Sequence, residues 1–250
     1  MTDPGWDALS RELDQWQALG LTARLWLRDD DAVAPTPALE RLVALTRRWQ
    51  APVLLAVIPA LAGPALAERL ADEPLFAPCQ HGWAHANHAS PGEKKSEFGS
   101  QRPLAAALDD IALGRGRMTA LFGAGALAIF VPPWNRIAAS VATALPALGF
   151  CALSAFGPPP PEPAIAQLNC GLDLIDWHNT RGGFPAITLN TRLAALLADA
   201  RARGGAAVGI LAHHLAHDAA AWDYLERLLA GTRDHTSVSW QSAARLIENI

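Results

Sequence analysis

His81 and His85 stand four residues apart in the segment CQHGWAHANH (residues 79–88), and His88 follows three later. Upstream, RDDD (residues 28–31) places three carboxylates in a row. Adjacent carboxylates repel one another, and a cation held among them would offset that repulsion. Two imidazoles and one carboxylate, with positions left open for water, make a usual catalytic zinc site, and the same donors suit other divalent first-row metals. The plain alternatives are acidic residues at a helix start and a chance pairing in a chain with eight histidines. His88 reads as a supporting or surface residue. DWHN (176–179) and HHLAHD (213–218) add imidazoles beside carboxylates, suited to proton transfer near neutral pH; His217 reads as a hydrogen-bonded loop histidine. Trp83, Trp134 and Trp177 each adjoin a polar cluster and are either core aromatics or, with Asn135 and His214, a substrate wall that offers indole faces to a sugar ring. GEKKSEF (92–98) is a charged loop beside the histidine motif, either solvated or closing over substrate with Lys94 or Lys95 on an anionic group.

The elements needed to position these groups follow from apolar periodicity. Strand-like runs fall at 23–27, 53–58, 75–79, 127–131, 150–155, 172–176, 207–212 and 236–240. The run VLLAVI (53–58) is continuously apolar, as a parallel strand covered on both faces should be. Helical stretches fall at 36–49, 61–71, 103–122 (soft at its glycines), 136–148 (interrupted by Pro146), 189–204 and 219–231. GPPPPEP (157–163) is loop, because proline brings no N–H. Alternating strands and helices imply βα units round a parallel sheet. Seven or so units predict a closed or nearly closed barrel of 250 residues, read as one domain, 1–250. RDDD, QHGWAH, PPWN, DWHN and HHLAHD each follow a predicted strand, and in such a barrel those ends converge on the face that carries the active site.

Composition narrows the function. Apolar residues make up 51% of the chain, enough for one large core, and the formal charge of −4 with no basic stripe argues against nucleic acid. No GxGxxG or GxxxxGK[ST] follows the first strands, which weighs against nucleotide-binding folds. The start carries acidic residues and no secretory pattern, and no segment reaches the roughly 18 apolar residues of a membrane span. The expected location is therefore cytoplasmic. Cys79, Cys151 and Cys170 have no CxxC spacing and read as reduced, mostly buried residues.

Five of these segments together resemble the polysaccharide deacetylases, the NodB-homology domain of carbohydrate esterase family 4. HGWAH is similar to that family's H-[ST]-x-x-H, RDDD to T-F-D-D-G, FVPPWN to R-x-P-[YW], DLIDW to D-x-x-D-W and LAH (211–213) to L-x-H. They occur in the family's order over about residues 22–215. The resemblance implies a distorted (β/α)7 TIM-like barrel and a divalent metal: Zn2+ first, with Co2+, Ni2+, Mn2+ or Fe2+ as alternatives. It implies Asp30, His81 and His85 as ligands and Asp29 as the base that deprotonates the attacking water. His213 would protonate the leaving amine, oriented by Asp176. The three-Asp run leaves a second frame open, with Asp30 as base and Asp31 as ligand. The family's motif arginine is Val131 here, so Arg28 or Arg136 must stand in or the mechanism differs. His213 and His214 face opposite ways if the strand continues through them, and His213 is preferred as the acid.

The expected function is removal of an acetyl or acyl group from an N-acetylated amino sugar or related small amide. The alternatives are a hydrolase of a non-sugar amide, such as a cyclic ureide or an acylated polyamine, and a non-catalytic saccharide-binding barrel.

Overall fold

The computed structural model describes residues 4–248. In chain order its elements are α1 (Pro4–Ala18), β1 (Ala23–Ala32), α2 (Pro37–Trp49), β2 (Val53–Val57), α3 (Pro64–Leu70), β3 (Phe76–His81), α4 (Leu104–Phe122) and β4 (Leu127–Val131). Then come α5 (Ala139–Ala144), β5 (Ala152–Leu153), β6 (Ala166–Gln167), β7 (Cys170–Asp173), α6 (Ala186–Ala202), β8 (Val208–Ala212), α7 (Ala219–Thr232), β9 (Val238–Trp240) and α8 (Ala243–Ile247). Hydrogen-bonded strands follow the order β6-β5-β4-β3-β2-β1-β8-β7, with β9 also on β1. The α/β class with a parallel sheet, expected from the alternation of runs, is the one observed. Some details differ from the sequence reading. The chain opens with a helix, α1, that carries Leu9, Leu13 and Trp16 on one buried stripe. Strand β1 also runs through the acidic triplet to Ala32 instead of ending at residue 27.

The chain forms two compact units. The first comprises residues 1–29, 37–53 and 170–242. Here β8 lies parallel to β1 with Asp29 opposite Ala212, so the residues after Ala212 emerge beside Asp29. On the other side of β8, Asp173 of β7 pairs with Leu211. The β1–β8 approach depends on Gly209, where a Cβ would come within 2.6 Å of the Trp26 ring. Helices α1 and α6 pack together and bury Trp16 completely, and Arg201 clamps Glu12 through two bonds of 2.8 and 3.1 Å.

The second unit comprises residues 30–36, 54–169 and 243–250. Strands β3 and β4 are parallel, with His81 opposite Val131. Phe98, Phe130 and Phe150 stack edge to face at the centre of its core, at centroid distances of 5.4 and 5.3 Å. Helix α4 passes its glycines without a break. Gly114 makes room for the buried Gln80 amide, which donates to the carbonyls of Ile111 (3.0 Å) and Gly82 (2.9 Å). Helix α5 stops at Ala144, and Pro146 sits in a tighter 3-10 turn that follows.

Candidate metal centre

In the second unit Asp31, His81 and His85 come together, with one ligand-type atom from each within 4.8 Å of the others. His81 ends β3 and is 1% exposed. Its Nδ1 lies 3.0 Å from the carbonyl of Val131, which can only accept. The tautomer assigned by that contact carries its proton on Nδ1 and turns the Nε2 lone pair toward Asp31 Oδ1, 3.1 Å away. The same oxygen lies 3.3 Å from Nε2 of His85. Burial, and next the neighbouring His81, lower the pKa of His85 below its usual value. As a neutral imidazole in this tautomer, His81 would direct a lone pair at a carboxylate oxygen, a contact that only an added proton or a cation makes favourable. Two imidazoles and a carboxylate fit a divalent transition metal.

The backbone is bent to achieve this. Asp31 (φ 72) and His85 (φ 55) both occupy the left-handed region that side chains rarely adopt, as do Trp134 (φ 55) and Asn135 (φ 57). Such conformations cost about 1–3 kcal/mol each and persist where the surroundings impose them. Glu97 supplies much of that support. Its carboxylate is fully buried and accepts from the backbone N–H groups of Ala84 (2.8 Å), Trp83 (3.2 Å) and Ala86 (3.4 Å), the segment that carries His85. Gly82 is obligatory beneath it, because a Cβ there would meet Glu97 Oε2 at 2.2 Å and Pro133 at 2.6 Å. The Trp134 ring packs on His85, with centroids 4.2 Å apart.

The first unit holds a separate group. Asp29, closed to solvent, accepts from Nδ1 of His214 at 2.5 Å and from the His214 backbone N–H at 2.9 Å. His213 Nδ1 lies 3.8 Å from Asp173 Oδ1 and its ring meets Trp177 edge-on at 4.8 Å. Trp177 in turn donates its indole N–H to Asp173 (3.0 Å). His217 Nε2 accepts from the His213 backbone N–H (3.3 Å), so the imidazole expected to be a loop residue braces the turn.

The expected residues fall in different surroundings. Asp30 is buried, and the carboxylate that groups with the two histidines is Asp31, the ligand of the second frame, where a left-handed turn breaks the strand's alternation. The Asp176 carboxylate is engaged locally. Both its oxygens bond the Asn179 amide, which lowers its pKa, and Asp173, three residues earlier, takes the place beside His213. His214 is 1% exposed and bound to Asp29, a poor position for touching substrate. Trp83 packs on the phenylalanine core, while Trp177 is 41% exposed and available. Arg136 donates to the Lys95 carbonyl (2.8 Å), and Arg28 is completely buried. Sequence reading missed Glu97 and Asp173. The only sequence sign of Asp173 was its place as the first Asp of DLID, and Glu97 had none beyond its loop.

No protein-family model matches the chain, and no curated protein sequence matches it. Solved structures do. A Mycobacterium smegmatis protein assigned as a polysaccharide deacetylase is similar at a TM-score of 0.68 and 15% identity, over 92% of this chain and 91% of that one. The peptidoglycan deacetylase PdaC from Bacillus subtilis is similar at 0.59 and 14% identity, over 91% of each chain. A BA3943 mutant, a family 4 pseudoenzyme with restored enzymatic activity, is similar at 0.61 and 12% identity, over 90% of this chain and 68% of that one. At these identities the likeness establishes the fold, the (β/α)7 barrel of the carbohydrate esterase family 4 deacetylases.

Proposed function

We propose that the protein is a metal-dependent deacylase that hydrolyses the amide of an N-acylated amine, an amino sugar being the first choice. The observation that carries this reading is the convergence of His81 Nε2 and His85 Nε2 on Asp31 Oδ1, with the second nitrogen of His81 already committed to the Val131 carbonyl. A divalent cation held by these three residues would supply the Lewis acidity that activates water and polarises an acyl carbonyl. With Asp31 as ligand the second frame of the acidic triplet applies in this reading, and Asp30, next to it in the chain, takes the proton of the attacking water on a carboxylate oxygen. His213 then gives a proton to the departing nitrogen, with Asp173 in the orienting role first assigned to Asp176. Water adds across the C–N bond, and a carboxylic acid and a free amine leave. Roles for Asp30 and His213 rest on the motif resemblance. Trp134 and Trp177 are the substrate-facing aromatics in this reading, with Asn135 beside Trp134.

The test is metal content together with acetate release from acetylated amino sugars. One divalent metal per chain, lost in Asp31→Ala, with turnover lost in Asp30→Asn while metal is kept, supports the enzyme. A chain that takes up no added metal overturns it. The binding-only reading has one observation in its favour: valine stands where the resemblance calls for arginine, and a relative of this fold is a pseudoenzyme. A metal-loaded chain that binds acetylated sugars and turns over none would establish it.

A further inference from the structure

The chain contains 20 basic side chains of lysine and arginine, yet its only lysines are Lys94 and Lys95, side by side in the loop that follows the histidine motif. The acids on either side of them are occupied. Glu93 accepts from the Ser90 N–H (3.3 Å) and the Gln101 amide (3.1 Å), and Glu97 is buried beneath the His85 segment. Lys95 therefore has no carboxylate partner among the described residues. Its ammonium instead lies 6.0 Å from the centre of the Trp134 ring, which also packs on His85 of the candidate trio. The backbone around Lys95 is pinned. Its carbonyl accepts from Arg136 (2.8 Å), the Ser96 N–H donates to Asn87 (2.9 Å), and the Ser96 carbonyl accepts from the His88 N–H (2.9 Å).

We propose that Lys95, carried on the face of Trp134, is an anion-binding subsite beside the metal centre, and that the substrate is an acylated amine bearing a carboxylate or a phosphate. This rests on the deacylase reading and narrows it. A divalent cation would be balanced by Asp31 and by the carboxylate base Asp30, so the charge that Lys95 carries on the far side of the Trp134 contact is left to an anionic group of the substrate. An acylated polyamine, whose remaining amines are cationic, would meet the like charge of Lys95. An acidic group would be drawn in and its orientation fixed, presenting the acyl carbonyl to the metal. A cation resting on an indole face keeps part of its donor capacity for such a group.

Zinc-loaded protein should be titrated calorimetrically with N-acetylglucosamine, N-acetylglucosamine 6-phosphate, N-acetylmuramic acid and N-acetylputrescine, and acetate release measured with the same four. The expected order of affinity places an anionic probe first and the cationic one last, with about fivefold between anionic and neutral. Lys95→Gln should bring that ratio close to one, raising KM for the anion far more than it lowers kcat, while Lys95→Arg restores it. Whichever of the phosphate and carboxylate probes binds tighter identifies the acidic group. Lys94→Gln is the control for overall charge and should leave the ratio standing. Equal affinities, no measurable binding of either anion at millimolar concentration, or a ratio unchanged in Lys95→Gln would overturn the subsite. Charge preference with no acetate released would leave the subsite intact and refute the deacylase; acetate released without charge preference would do the reverse.

Discussion

Nδ1 of His214 stands 2.5 Å from Oδ1 of Asp29, and both side chains are sealed from solvent. The parallel register of β1 and β8 produces this contact, since it sets Asp29 opposite Ala212, two residues before the histidine. A buried carboxylate that loses its ring donor keeps only the His214 backbone N–H of the pair. His214→Leu should therefore lower unfolding free energy by about 2–3 kcal/mol in urea titration. Combining it with Asp29→Asn should cost clearly less than the sum of the two single changes. Strict additivity would mean that the two residues do not act as a pair.

The acidic triplet is decided by metal content. Asp31→Asn should lose the metal, as should His81→Ala and His85→Ala, by elemental mass spectrometry of the purified variants. Asp30→Asn should retain it and lose turnover by about 100-fold or more, the usual contribution of a positioned base. The opposite outcome, metal lost with Asp30 and kept with Asp31, would restore the first frame of the motif.

Glu97 holds the segment that carries His85 of the candidate metal centre. Glu97→Gln weakens the three accepted bonds that fix residues 83–86. Metal affinity should fall about 10- to 100-fold in competition with a chelator, as when other outer partners of metal ligands are removed. Gly82→Ala should go further, because its φ of +59 and the 2.2 Å approach of Glu97 leave no relaxed position for a methyl group.

His217 makes stability depend on pH. Burial holds its pKa down from 6.5 to about 4 in the folded chain. Unfolding restores the ordinary value, so from pH 6.5 down to 4 the unfolded chain binds a proton that the folded chain refuses. Stability is complete above that window and is lost as the pH falls through it, by an amount on the order of 3 kcal/mol. Asp176 and Asp218, whose pKa values are held down by the Asn179 side chain and the Ala221 N–H respectively, erode stability at lower pH still. A His217→Gln variant isolates the histidine: the difference in unfolding free energy between it and the parent should change across pH 6.5 to 4. A constant difference would show that the ring already titrates normally in the fold.

Much of this was legible in the residues because the parallel-sheet pattern is strong. Continuous apolar runs such as 53–57 became buried strands, and the polar clusters fell after them. His81 and His85 were visible as a pair because their spacing is local. The choice among Asp29, Asp30 and Asp31 was hidden by one backbone angle. A strand alternates its side chains, and the φ of 72 at Asp31 breaks that rule in a way no propensity announces. The local partners of Asp173 and Asp176 were equally hidden, since the Trp177 indole on the first and the Asn179 amide on the second are set by the fold of one short loop. Glu97 sits 12 residues from His85 in sequence, and nothing but tertiary structure brings its carboxylate under the segment that carries that imidazole. Helix α1 was overlooked because its stripe of Leu9, Leu13 and Trp16 was weighed only as a leader sequence.

The group that fixes the His81 ring at position 131 is a main-chain oxygen, and this changes what inheritance can do to the site. Every residue type offers that carbonyl, so the side chain at 131 can change without disturbing the imidazole. What cannot drift is the alignment of β3 with β4, since a slip of one residue would carry the carbonyl away from the ring. The orientation of the metal-facing nitrogen is thus recorded in strand pairing and in the core residues that enforce it, such as Phe130. Point mutations that damage this metal centre should therefore map as readily to the apolar layer behind it as to the histidines themselves.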